Sequence, residues 1–124
     1  MAKPVATPLI AVAVGGACGA MLRHGAYQLV PAPWDLLSVN FVGTMLLIWL
    51  KQARPLPSVR LHTALTTGLC GALTTVSSLA WFTMFTTVDA HDGGGAAQYV
   101  LITLVATLFP GWILWQYAER QAAS

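Results

Sequence analysis

Residues 67–82 read TGLCGALTTVSSLAWF, and they place glycines and hydroxyls inside a segment that is otherwise apolar enough to lie in lipid. Non-helical backbone persists at membrane depth only where protein or a water-filled cavity covers it. The stretch therefore predicts a broken helix beside a polar feature, at Gly71, Thr74, Thr75, Ser77 and Ser78. The alternative is ordinary close packing, in which small residues let helices approach and hydroxyls bond to their own helix.

The composition around this stretch indicates an integral membrane protein. Of the 124 residues, 56% are hydrophobic and 8% are charged, whereas a soluble domain has about 25% charged residues. The first apolar segment carries on and is followed by others, which favours a spanning helix over a cleaved signal. A chain of this size encloses a thin core, so we expect at least a dimer in contact with membrane lipid, and no nucleic-acid partner.

We expect an all-α fold with a single transmembrane domain over residues 1–124. Its four spans are predicted at about residues 5–29, 34–50, 61–88 and 99–117. A polar, glycine-rich stretch, DAHDGGGAA at 89–97, is interpreted as the link before the fourth span. Gly15 and Gly19 stand four apart and predict a flat face for close helix contact.

Polar residues inside the spans are candidate sites, because each must face protein or water. Arg23 is either a cation that reaches the interface or a buried structural cation. Asn40 is either a lining residue of a pore or a contact that joins two helices. Tyr99, Thr103 and Thr107 recur every four residues, so their hydroxyls are expected along one helix face, although threonine also bonds to its own backbone.

Three segments of the chain form a set: GGACGAMLR at 15–23, SVNFVG at 38–43 and GLCGALTT at 68–75. Together they resemble the CrcB family, the small bacterial fluoride channels also called Fluc. The resemblance implies a subunit with a broken third helix, in an antiparallel dimer that exports fluoride passively across the bacterial cytoplasmic membrane. It also implies a structural sodium ion held by the backbone carbonyls of Gly71 and Thr74. Asn40 matches the pore asparagine, and the rest of the implied ion pathway is Ser78, Tyr99, Thr103 and Thr107.

The segment after the paired threonines departs from the family pattern. The family has phenylalanine, serine, threonine, phenylalanine, whereas this chain has Val76, Ser77, Ser78 and Leu79. An aromatic edge carries partial positive charge and can approach an anion, which valine and leucine lack. We therefore expect that this subunit does not line a complete pore alone.

The placement of charge favours a partner chain of different sequence. Every lysine and arginine except Arg23 falls on one predicted side of the membrane: Lys3, Lys51, Arg54, Arg60 and Arg120. The positive-inside rule then puts both termini in the cytoplasm, so an antiparallel mate must be another chain, although a homodimer stays possible in detergent.

Two other classes of function remain as alternatives to a conducting channel subunit. One is a subunit with a degenerate pore that only completes a partner's structure. The other is a small multidrug-type transporter, which would need a membrane-embedded glutamate that the spans lack. We do not expect an enzyme, because the one carboxylate within a predicted span, Asp35, is only the second residue of its span, and Cys18 and Cys70 have no metal-type spacing.

Overall fold

The computed structural model describes residues 6–52, 56, 58–88, 91 and 93–122, and within these ranges every regular element is a helix. Four helices are long and apolar enough to cross a membrane, which confirms the all-α membrane fold. The charged residues Lys3, Arg54, Asp89 and Asp92 lie outside the described residues, as do Val5 and Ser124.

The first, second and fourth spans are each one α-helix. Helix α1 is Ala6–Leu29, α2 is Trp34–Gln52 and α6 is Gly93–Ala122. The glycine-rich stretch was expected to be a link throughout residues 89–97, and this is wrong from Gly93 onward. Ala96, at 1% exposure, is fully buried, so packing outweighs the low helix propensity of glycine there.

The third span is divided into four helical pieces. Helix α3 is Val59–Thr63, a π-helix covers Ala64–Cys70, α4 is Gly71–Leu73 and α5 is Val76–Val88. The backbone leaves helical geometry at Thr74, where φ is −78° and ψ is 142°. Gly71 has helical angles, φ −63° and ψ −35°, so the interruption lies at Thr74 and Thr75.

The two halves of the third span pack against different helices. The π-helix and α4 pack on α1, whereas α5 packs on α6, and α2 lies against both α6 and the π-helix. Large apolar side chains cover the outer faces of α1 and α6, as lipid contact requires. The interruption contacts α2, because Asn40 on that helix hydrogen-bonds to the buried Thr75.

Glycines bring α1 and the π-helix into backbone contact. A Cβ built on Gly15 would lie 2.0 Å from the carbonyl oxygen of Ala64, and one on Gly19 would lie 2.3 Å from that of Leu69. Gly68 on the π-helix makes the matching contact with α1, because a Cβ there would lie 2.7 Å from the Val12 carbonyl oxygen. The small-residue face predicted from the sequence is confirmed, and it fixes where the third span stands.

Candidate ion pathway

The side chain of Asn40 joins α2 to the interruption. Its Oδ1 accepts a hydrogen bond of 2.7 Å from the Thr75 N–H. Its Nδ2 donates to the Thr75 carbonyl oxygen over 3.4 Å. Both residues are buried, and the Asn40 amide thus satisfies the backbone polar groups that Thr75 would otherwise leave unpaired in lipid.

The hydroxyl of Thr75 caps the first turn of α5. Thr75 Oγ1 accepts a hydrogen bond of 3.2 Å from the Ser78 N–H, which is the contact an N-cap threonine makes with the third residue of a helix. The hydroxyls of Ser77 and Ser78 each lie 3.1 Å from the same oxygen. Ser78, a predicted pathway residue, therefore belongs to a hydroxyl cluster at the interruption.

The interruption also changes the backbone carbonyls at the end of α4. In a continuous helix the Thr75 N–H would donate to the Gly71 carbonyl, but here it donates to Asn40. Gly71 is exposed on the surface of the subunit, and a Cβ added there would meet nothing within 4 Å. A helix carbonyl without its partner is a ligand that suits a hard cation, so the position predicted for sodium has suitable oxygen chemistry.

Tyr99, Thr103 and Thr107 lie on one buried face of α6, but their hydroxyls are engaged differently. Tyr99 donates to the Pro33 carbonyl. Thr107 donates to the Thr103 carbonyl of its own helix at 2.7 Å. The three residues therefore share one face, as predicted. Thr107 also follows the stated alternative, in which a threonine hydroxyl bonds to the backbone of its own helix.

Thr103 is the exception on this face. It is 3% exposed, and its Oγ1 is buried with no hydrogen-bond partner among the described residues. It lies near the Tyr99 hydroxyl, but the contact does not meet hydrogen-bond geometry, and Tyr99 gives its hydrogen to Pro33. A buried, unpaired hydroxyl is costly, and it is available to an ion or a water molecule.

Val76 and Leu79, the two positions at which the resemblance implies phenylalanine, lie on α5. Val76 is 81% exposed and Leu79 is half-buried. Both line a shallow groove with a volume of about 490 Å³ between α5 and α6. Both side chains are aliphatic. Any aromatic contact to an ion in this groove must therefore come from another residue or another chain.

Sequence reasoning missed two features of this region. Phe82 packs on Tyr99 with ring centroids 4.6 Å apart. Because Phe82 is three residues after Leu79, the two lie on the same face of α5, and this spacing could have indicated the contact. The π-helix was also missed, and such segments are frequent at functional sites. Its period is not visible in a run of small and apolar residues.

Arg23, the predicted structural cation, lies on α1 one turn beyond Gly19. It is half-buried on α1, and no hydrogen bond or ion pair joins it to another residue in the described part of the chain. Its predicted structural role stays a prediction.

Comparison with known proteins gives consistent matches. The sequence model of a family described as "CrcB-like protein, Camphor Resistance (CrcB)" matches residues 10–114. The chain is 33% identical to "Fluoride-specific ion channel FluC 2" of Geobacillus kaustophilus, over 90% of the chain and 93% of that protein. It is 38% identical to "Fluoride-specific ion channel FluC 1" of Mycolicibacterium paratuberculosis, over 81% of each. It is 41% identical to the protein of that name in Mycobacterium bovis, over 77% of the chain and 80% of the relative. No solved structure matches the chain.

Proposed function

Because the chain belongs to the CrcB family, we propose that it is a subunit of a passive, fluoride-selective channel in the bacterial cytoplasmic membrane. The observation that carries the proposal is the unpaired, buried hydroxyl of Thr103 on a helix face that also bears Tyr99 and Thr107. Relatives over most of the chain are named as fluoride-specific ion channels. We propose transport and no catalysis.

Fluoride requires this kind of lining because it is small and holds its water tightly. A pore must replace the lost water with several hydrogen-bond donors, each weak enough to let the ion leave. Thr103 Oγ1 offers one such donor. Asn40 offers a second, because its Nδ2 carries two hydrogens and the Thr75 carbonyl uses one of them. Ser78 at the interruption offers a third.

A structural sodium ion is part of the proposal. The carbonyls of Gly71 and Thr74 would hold it, and its positive charge would lower the electrostatic cost of an anion in low dielectric. The support is chemical, since the Gly71 carbonyl is without the Thr75 N–H that a continuous helix would supply. A melting temperature that rises with sodium, and does not rise with N-methylglucamine at equal ionic strength, would support this site.

We propose further that the working assembly is an antiparallel heterodimer with both termini of this chain in the cytoplasm. The chain presents Val76 and Leu79 where the family has phenylalanine, so the partner would supply the aromatic contacts. The same observation favours a second candidate, a non-conducting subunit that only completes the partner's fold.

Reconstitution in vesicles tests the channel proposal. The chain, tagged and purified from its native membrane with whatever subunit accompanies it, would be placed in vesicles loaded with potassium fluoride. Addition of valinomycin should release fluoride to an external electrode, and vesicles loaded with chloride should release little. The purified chain alone should release little fluoride. Absence of fluoride release from both preparations would overturn the proposed function.

A further inference from the structure

We infer that Asn40 is a positioning residue, whose side-chain amide keeps the third span open at Thr74 and Thr75 by pairing with both backbone polar groups of Thr75. The inference deepens the proposed channel function, and its consequence for ion flux rests on that function. Its structural part does not, because it concerns the path of the backbone.

The side-chain amide of Asn40 pairs with the two backbone polar groups of one residue, Thr75. Asn40 and Thr75 are 35 residues apart in sequence, yet Oδ1 accepts from the Thr75 N–H and Nδ2 donates to the Thr75 carbonyl. Asn40 is 8% exposed and Thr75 is 6% exposed. Because both residues are buried, the amide of Asn40 is the partner that satisfies the backbone polar groups of a non-helical Thr75.

The shorter of the two hydrogen bonds decides the backbone path. Helical geometry continues through Leu73 and resumes at Val76. A closed helix would need the Thr75 N–H to donate to Gly71, and Asn40 Oδ1 takes that hydrogen at 2.7 Å instead. With the N–H held by α2, the Gly71 carbonyl is released and α5 starts from its Thr75 cap.

A glycine on the same face of α2 shapes the second contact with the interruption. A Cβ on Gly43 would lie 2.6 Å from Thr74 Cγ2. Thr74 Oγ1 donates to the Cys70 carbonyl at 3.0 Å, so rotation of that side chain would break this bond. Asn40 and Gly43 are three residues apart, and together they make α2 complementary to an open third span.

The alternative is that Asn40 acts on the ion alone, through its remaining Nδ2 hydrogen, and has no part in keeping the third span open. The two descriptions differ in what Asn40→Ala does to the backbone. If Asn40 acts as a clamp, meaning that its amide holds Thr75 out of the helix, then its removal lets the Thr75 N–H return to Gly71, and the third span closes. Removal of a donor to the ion leaves the interruption unchanged.

Distances between spin labels on either side of the interruption separate the two descriptions. Leu61 on α3 and Met84 on α5 are both exposed, so each can carry a label after Cys18→Ala and Cys70→Ala, in full chains diluted with unlabelled chain in vesicles. An extended residue rises about 3.3 Å and a helical residue about 1.5 Å. Asn40→Ala should therefore shift the main distance by about 2 Å or more.

Two further variants provide the control and the rescue. Thr44→Val on the same helix removes a hydroxyl that bonds to the Asn40 carbonyl of its own helix, and it should leave the distance unchanged. Asn40→Asp keeps the acceptor for the Thr75 N–H and should keep the wild-type distance, while it loses flux because it lacks the donor and adds negative charge.

An unchanged distance in Asn40→Ala overturns the inference, and if flux is lost as well, Asn40 acts on the ion and the channel proposal stands. A shifted distance in Asn40→Ala together with a wild-type assembly that carries no fluoride supports the clamp and overturns the channel. If Asn40→Ala does not assemble, Asn40→Asp decides, since a shifted distance in that variant contradicts the clamp.

Discussion

Thr103 shows at the scale of one residue how stability and transport oppose each other. Its hydroxyl is buried without a partner, and such a group costs about 1–3 kcal/mol. Tyr99 and Thr107, on the same face, have their hydroxyls bonded to backbone carbonyls. The unpaired hydroxyl is therefore the one whose removal should help the fold and harm the transport.

Thr103→Val keeps the shape of the side chain and removes the hydroxyl. A hydrogen bond to a charged group contributes about 1.5–3 kcal/mol, so fluoride flux should fall roughly tenfold to hundredfold. The melting temperature in detergent should stay the same or rise. Thr66→Val is the matched control, because Thr66 is buried and its hydroxyl bonds to the His62 carbonyl of its own helix segment. Equal flux in the wild type and Thr103→Val would remove this hydroxyl from the pathway.

At the scale of one helix, Thr75 starts α5 with its side chain as well as its backbone. Thr75→Val removes the cap at Ser78 N and leaves the N–H that bonds to Asn40 in place. Loss of such a cap costs about 0.5–2 kcal/mol, and amide exchange in the first turn of α5 should accelerate. Thr75→Ser keeps the oxygen and should behave as the wild type. Faster exchange in both variants would mean that the methyl group, and not the cap, holds this turn.

The contact between α1 and the π-helix gives a second test on elements. Gly15→Ala would place a Cβ 2.0 Å from the Ala64 carbonyl oxygen, so two backbones must separate, at a cost of about 1–3 kcal/mol or more. Gly25→Ala is the control on the same helix, since a Cβ there meets nothing within 4 Å. It should raise stability by up to about 1 kcal/mol through helix propensity. Unfolding titrations that move both variants in the same direction would contradict the close contact.

The same elements show what the sequence can predict and where it stops. The Gly15 and Gly19 face was predictable because four-residue spacing sets one helix face locally. That Asn40 faces the interior was predictable because a polar side chain inside a span must face protein or water. Its pairing with Thr75 was not, because the two residues are 35 apart and only tertiary packing brings them together. The helix over Gly93–Ala97 was missed because glycine propensity argues against it and the burial of Ala96 overrides that propensity.

For the whole molecule, the feature that bears on the proposed assembly is a group of cations at one end of the bundle. Gln52 Nε2 donates to the Leu114 carbonyl at 3.1 Å, which brings the ends of α2 and α6 together. Lys51 and Arg120 lie in the last turns of these two helices, and Arg60 lies in α3 at the start of the third span. These three cations therefore share one end. A bias of this kind opposes insertion in both orientations.

We expect a single orientation in cells, with the C-terminus in the cytoplasm. A green fluorescent protein fused after Ser124 should fluoresce, and alkaline phosphatase at the same point should be inactive. Moving the charge should change this result: Lys51→Gln, Arg54→Gln and Arg60→Gln combined with Ala32→Lys should give both signals, because only Lys3 and Arg120 on one side then oppose the added lysine on the other. Lys51→Arg keeps the charge and should retain the single orientation. Equal signals from the two reporters on the unaltered chain would show that it inserts both ways, and an antiparallel homodimer would then need no second kind of subunit.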